Sequence, residues 1–305
     1  MGGSGGGYFV SNARELKNKL SDTTKDMERK EYDADVATLL SELLLHYNNR
    51  DVNAINTHLE EILKAVENRI DGHLNIKLGG SVSKHTFVDG LSDIDTLLIL
   101  NDSGLSEKSP EAIKNNIANM LKERFSKTDI SVGKMAVTVS FSDYEIQILP
   151  ALKSSGKVMI PNASGNSWAK IDTEKFTRIL TKTNNDNGNR VVPIIKLAKA
   201  IIGKLPEKQQ LSGYHVEALA TSIFSNYHDE QTSKTMLKHF FQQASQMVLS
   251  PTKDETGQSV YVDEYLGTKN SLSRQIVSSA LDRLNRKLQN AENLLSLETW
   301  KDILE

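Results

Sequence analysis

The stretch GGSVSKHTFVDGLSDIDTLLIL, residues 79–100, decides how this chain is read. Its second half opens a strand, because Ile94 to Leu100 is an apolar run of strand length. Side chains alternate across a strand, so Asp93 and Asp95 share one face while Ile94 turns into the core. Two carboxylates held in this way form a cradle for a hard divalent cation. Mg2+ (or Mn2+) takes one or two carboxylates together with phosphate oxygens and water. An isolated D-x-D is more often a strand cap with a solvated neighbour. The reading gains force from Gly79-Gly80-Ser81, which ends a short preceding strand, Leu74 to Leu78. Glycines there let the backbone approach a phosphate, and the Ser81 hydroxyl adds a donor.

Working outward, the segment from Asn12 to Ile70 carries apolar residues at helical spacing, with Val36, Leu39, Leu40, Leu43 and Leu44 followed by Ile55, Leu59, Ile62, Leu63 and Val66. Two or three amphipathic helices are expected there. Ser109-Pro110-Glu111 is a start signal for a helix reaching about Phe125. Three strand-like runs follow, Ile130 to Val132, Met135 to Phe141 and Tyr144 to Leu149, at spacings that suit antiparallel connections. From about Thr173 the pattern is helical again, over Phe176 to Thr181, Val192 to Leu205, Tyr214 to Tyr227, Lys234 to Leu249 and Leu272 to Leu295. Asn184 to Asn189 reads as a solvated turn, and Trp168 as a staple between a loop and the sheet.

The expected organisation is a glycine-rich tail over residues 1–8, N-terminal helices with a mixed sheet over 9–155, and a helical domain over 156–305. At 305 residues with no cysteine, the chain has length for a self-sufficient core, and disulfides, thiolate zinc and cysteine nucleophiles are excluded. The missing cysteines and secretory pattern suit a cytoplasmic protein, and no apolar stretch has the length of a membrane span. With 37 basic against 39 acidic residues, the charge footprint of an extended nucleic-acid binder is missing. Small anionic ligands need only a few placed lysines.

The glycine-serine loop and the aspartate pair resemble the signature of the polymerase-β-like nucleotidyltransferase superfamily. Within it the chain resembles the bacterial cGAS/DncV-like nucleotidyltransferases. The likeness continues through Glu145-Ile146-Gln147-Ile148-Leu149-Pro150-Ala151, the helix with Lys196 and Lys199, and Leu211-Ser212-Gly213-Tyr214-His215-Val216-Glu217. It implies an α+β fold, a nucleotidyltransferase palm with a mixed sheet packed against N-terminal helices and a C-terminal helical lobe. It also implies a metal-dependent enzyme that joins nucleoside triphosphates, ATP among them, into a cyclic di- or trinucleotide second messenger of antiphage defence, and that answers to a regulatory protein partner. A linear oligonucleotide synthase, nucleotide transfer to a macromolecule and a degenerate nucleotide-binding module are the alternatives.

Members of that family carry a third carboxylate three residues before the proline, where this chain has Gln147. A neutral amide supplies neither negative charge nor a proton acceptor. Glu145 lies on the same strand face and reaches one methylene further than an aspartate, so Glu145 is expected to replace the third carboxylate as a metal ligand beside Asp93 and Asp95, with Gln147 an outer ligand or the alternative for that place. Lys196 and Lys199 share a helix face. The resemblance implies that a lysine there grips the triphosphate, that Gly80, Ser81 and Ser212 line the phosphates, and that Tyr214 lies beneath a base. On an ordinary amphipathic helix such lysines are solvated, and a tyrosine at Tyr214's position is a core aromatic.

Overall fold

The computed structural model describes residues 8–49, 51–67, 69–70, 73–89, 93–101, 107–154, 157–162, 164–172, 174–257 and 259–304. The glycine run of the expected tail and Ser92 lie outside the described residues.

Two N-terminal helices, α1 (Tyr8–Tyr47) and α2 (Val52–Glu67), precede strand β1 (His73–Leu78) and a one-turn helix α3 (Gly80–Ser83). Then come β2 (Ile94–Asn101), α4 (Pro110–Arg124), β3 (Asp129–Val132), β4 (Val137–Ser140), β5 (Glu145–Ser154), β6 (Lys157–Pro161) and β7 (Trp168–Ile171). The rest is helical, with α5 (Lys175–Asp186), α6 (Val191–Gly203), α7 (Gly213–Ile223), α8 (Ser233–Met247), α9 (Leu272–Asn293) and α10 (Leu297–Leu304). The N-terminus of α4 follows its sequence signal, with Pro110 in the first turn and the Ser109 hydroxyl accepting from Ala112 N at 3.2 Å.

One seven-stranded sheet runs β1-β2-β5-β4-β3, with β6 pairing β5 and β7. Among the described residues only β2 and β5 pair in parallel, and that places Ile94 beside Ile146 and Asp95 beside Gln147. A parallel pair needs a crossover, which α4 and the β3–β4 hairpin supply. Alternation does the rest. Ile94, Leu98, Ile146 and Ile148 turn to one face, fully buried against Ile113, Ile117 and Leu121 of α4 and Ile62 and Val66 of α2. Asp93, Asp95, Glu145 and Gln147 are left at the strand starts on the other face. Burying each of these aliphatic side chains is worth roughly 1.5–3 kcal/mol, and that fixes the register which sets the carboxylates.

The two N-terminal helices part company. α2 belongs to the sheet's core, whereas the second half of α1 (Tyr32, Val36 and Leu40) is buried in the core of α6, α7, α8, α9 and α10. Trp300 Nε1 of α10 donates to the Tyr32 hydroxyl at 2.7 Å, tying the chain's last helix to its first. The sheet continues through β6 and β7, past the expected boundary at residue 155, and Trp168 sits in β7 with its indole donating to Lys108 O at 3.0 Å. The asparagine run is a solvated turn only in part: Asn185, Asp186, Gly188 and Asn189 are exposed, with the turn over residues 187–189. α5 continues to Asp186, and Asn187, 2% exposed, donates to Thr183 O and Phe224 O at 2.8 and 3.0 Å. Among the described residues no helix is long and apolar enough to cross a membrane.

Candidate active site

Asp93 and Asp95 stand side by side at the open start of β2, half-buried. Gln147, the register partner of Asp95 on β5, donates its Nε2 to Asp93 Oδ2 at 2.6 Å. Asp95 is built into the glycine loop. Gly79 N donates to the Asp95 carbonyl at 2.8 Å, and the Ser81 N–H donates to its carboxylate. Gly80 has φ +47°, and a Cβ placed on it would lie 1.8 Å from Asp95 Oδ2. Here the glycine serves the carboxylate, and one of the amides expected to face a phosphate is already committed to Asp95.

Burial pushes both carboxyls above the ordinary aspartate value; the Gln147 amide opposes this at Asp93, and the Ser81 amide and Lys84 oppose it at Asp95. Each aspartate therefore holds negative charge that its own surroundings undersupply. Glu145 is exposed two residues before Gln147, and its carboxyl is raised by burial and by the neighbouring Asp93 and Asp129 charges. Among the described residues no group of three His, Asp or Glu side chains can hold an ion by itself. A pair of desolvated carboxylates beside an open face suits a cation that completes its shell with phosphate and water.

Behind the loop lies a buried knot of charge. α3 ends at Lys84, the chain turns at His85 with φ +59°, and Thr86 N returns to Ser81 O at 2.9 Å. Glu217 of α7, 1% exposed, takes the Lys84 ammonium on Oε2, the Lys199 ammonium on Oε1 at 2.7 Å, and the Thr86 hydroxyl. Lys199 also donates to Thr86 O at 3.1 Å and Thr86 Oγ1 at 3.3 Å. Burial alone would raise the Glu217 carboxyl, but Lys84 and Lys199 outweigh it and hold it below the ordinary value. Burial lowers Lys199, against the pull of Glu217.

The lysines of α6 are thus buried, at 8% and 6% exposure, and not spread over an open cleft; Lys196 donates to the Asn48 side chain. Ser212 caps α7, its hydroxyl accepting from His215 N at 3.3 Å, while its own N–H donates to the Tyr265 hydroxyl at 3.0 Å. Tyr214 is half-buried. Its hydroxyl donates to Asp254 Oδ1 at 3.0 Å, its ring meets Phe176 edge-on at 4.9 Å, and the Lys84 ammonium lies 5.1 Å from its centre. Lys84, Thr86 and Glu217 fall inside the motifs that sequence reading singled out, yet no role was drawn for them. The available signal was Glu217 itself, a lone acid within Val216-Glu217-Ala218-Leu219 on a buried helix.

The sequence model of the Second Messenger Oligonucleotide or Dinucleotide Synthetase domain matches residues 31–184. Comparison with curated protein sequences gives no match. Among solved structures, the chain is similar to CdnC of Escherichia coli with ATP, at 15% identity over 83% of this chain and 90% of that one, with a TM-score of 0.64. The same enzyme in complex with a HORMA protein matches at 15% identity, 87% and 90% coverage and a TM-score of 0.62. DncV of Vibrio cholerae, a cyclic AMP-GMP synthase with a linear intermediate bound, matches at 11% identity, 95% and 88% coverage and a TM-score of 0.61. At such identities the likeness is one of fold, the polymerase-β-like nucleotidyltransferase palm with its helical partner.

Proposed function

The chain belongs to the Second Messenger Oligonucleotide or Dinucleotide Synthetase family of nucleotidyltransferases, and from that premise we propose that Asp93 and Asp95 carry a metal-dependent synthesis of a cyclic oligonucleotide signal for antiphage defence. The observation that carries the reading is the desolvated aspartate pair, with a glycine loop shaped around Asp95. ATP among other nucleoside triphosphates is the substrate class. A regulatory protein partner belongs to the same proposal, on the example of CdnC in its HORMA complex.

A 2′- or 3′-hydroxyl of one nucleotide attacks the α-phosphorus of another. The new oxygen–phosphorus bond forms as the bond to the β-phosphate breaks, pyrophosphate leaves, and a second round closes the ring. Asp93 and Asp95 would hold Mg2+ or Mn2+, which supplies positive charge to the leaving pyrophosphate and acidifies the attacking hydroxyl. Gln147 orients Asp93 through its 2.6 Å hydrogen bond. The Glu145 carboxylate, raised by burial and by Asp93, accepts the hydroxyl proton at its oxygen. Gly80 and Ser81 border the phosphate chain. Lys199, whose ammonium lies against Gly213 at the start of α7 and would meet a Cβ there at 3.4 Å, lends its charge from beneath. The Tyr214 ring, held at its hydroxyl by Asp254, offers a face to a base.

The test is the mass of the product formed from the four ribonucleoside triphosphates with Mg2+ or Mn2+. A phosphatase-resistant product is expected, and it disappears in Asp93→Ala and Asp95→Ala. A product whose ends the phosphatase removes would make the chain a linear synthase. Glu145→Ala should lose more turnover than Gln147→Ala; the reverse order sinks the assignment of the proton acceptor. The neutral amide on Asp93 favours one second reading, a nucleotide-binding module without turnover. Retained triphosphate binding with no product under any metal would establish it.

A further inference from the structure

Around the carboxylate pair the charges can be counted. Four carboxylates, Asp93, Asp95, Glu145 and Glu217, and two ammonium groups, Lys84 and Lys199, interact in one cluster: Glu145 feels Asp93, Asp95 feels Asp93, Lys84 and Glu217, and Lys199 feels Asp95. Lys84 follows the same one-turn helix whose Ser81 amide donates to Asp95, so without another claim on it that ammonium has a carboxylate partner close by. The claim comes from Glu217. Its two oxygens each take one lysine, and Thr86 fills the remaining space. The Lys84 ammonium is further confined between the Phe176 and Tyr214 rings, 5.2 and 5.1 Å from their centres.

We propose that Glu217 is a positioning residue that holds the Lys84 and Lys199 ammonium groups off Asp95 and Asp93, and so keeps the carboxylate pair open to a divalent cation. The physical reason is competition. In a partly dry site an ammonium and a divalent cation seek the same carboxylate oxygens, and whichever is already hydrogen-bonded there must be displaced. A helix that needed only packing at this place would carry an aliphatic residue, as its neighbours Val216, Ala218 and Leu219 do. The assignment rests on Asp93 and Asp95 being the cation site of the proposed function.

The experiment measures Mn2+ binding to the full chain by the loss of the free-ion paramagnetic resonance signal, with no nucleotide present, alongside thermal melting. The reference protein should show a site that Asp95→Asn removes. In Glu217→Gln, which keeps the shape and drops the charge, Lys84, the ammonium whose charge acts on Asp95, turns to it and the affinity should fall about tenfold or more. Adding Lys84→Met to Glu217→Gln removes the competitor, and the affinity should return to within about threefold of the reference. A role confined to packing gives neither the loss nor the rescue. Unchanged binding in a folded Glu217→Gln protein, or failure of the second substitution to restore it, overturns the proposal. Should Glu217→Gln not fold, Lys84→Met by itself decides. A lysine held off the pair leaves binding within about threefold when removed, and a tenfold loss overturns the assignment. If the reference protein shows no site that Asp95→Asn removes, the cation reading of the pair falls, and this inference falls with it.

Discussion

Two sets of buried acids in this molecule have opposite fates. At the start of β2, Asp93 and Asp95 are desolvated with little positive charge against them, and their carboxyls are pushed up. In the helical lobe, Asp263 is fully buried, yet Arg274 meets its Oδ2 at 2.7 Å, Thr252 N donates to both its oxygens at 3.1 and 3.2 Å, and its carboxyl is held down against the effect of burial. Arg274 is itself satisfied, donating to the carbonyls of Val248, Ser250, Asp263, Gly267 and Thr268. His215 completes that cluster 3.4 Å from Asp263 Oδ2, kept neutral by burial with its pKa lowered to about 4. Both sets use the same residue type. What separates them is counter-charge, met by Arg274 at Asp263 and largely unmet at Asp93 and Asp95.

The most severe way to break the comparison is to unbalance the satisfied set. Arg274→Ala leaves Asp263 buried without its cation and should cost about 3–5 kcal/mol in urea unfolding. A loss under about 1 kcal/mol would mean that Asp263 draws little stability from its partner.

Next in size is Gly80→Ala. The positive φ and the collision with Asp95 Oδ2 predict a loss of about 1–3 kcal/mol, together with loss of product because Asp95 is displaced. Normal turnover in this variant would show that the loop need not be shaped around Asp95.

The smallest effect has the opposite sign. Asp93→Asn should abolish product while raising the melting temperature by a degree or two, about 0.5 kcal/mol, because it removes an undersupplied charge. The sign follows from a folded-state pKa above the ordinary 3.8. At neutral pH the native state bears the full penalty of the ionised group. As pH falls through the raised value the native carboxyl takes its proton first, and below 3.8 the penalty is gone. The variant's advantage is therefore full at neutral pH and absent in strong acid. Glu217 runs the other way, its stabilisation present above the ordinary 4.5 and lost as pH falls through its depressed folded value.

Much of this was legible in the chain. Alternation at Asp93-Ile94-Asp95 placed two acids on one face, and Ser109-Pro110 set the start of α4. The short strands β6 and β7 were not read, because they are set among Ser154-Ser155-Gly156 and the Gly-, Ser- and Asn-rich residues 162–167, whose composition reads as loop. In the asparagine run polar composition marked the exposed turn but not Asn187, which spends its amide on two carbonyls inside the lobe.

By itself the sequence determined what local spacing governs: which residues share a strand or helix face, where glycine is required, and the family to which these motifs belong. Only the tertiary structure decided who meets whom. The parallel pairing of β2 with β5 brought Gln147 to Asp93, the packing of α7 on the glycine loop delivered Glu217 to Lys84, and the burial of α6 took Lys196 and Lys199 away from an open cleft. Periodicity fixes direction within one element. The partner of a charge is fixed by contacts between residues far apart in the chain, and these form only when separate apolar faces close on one another.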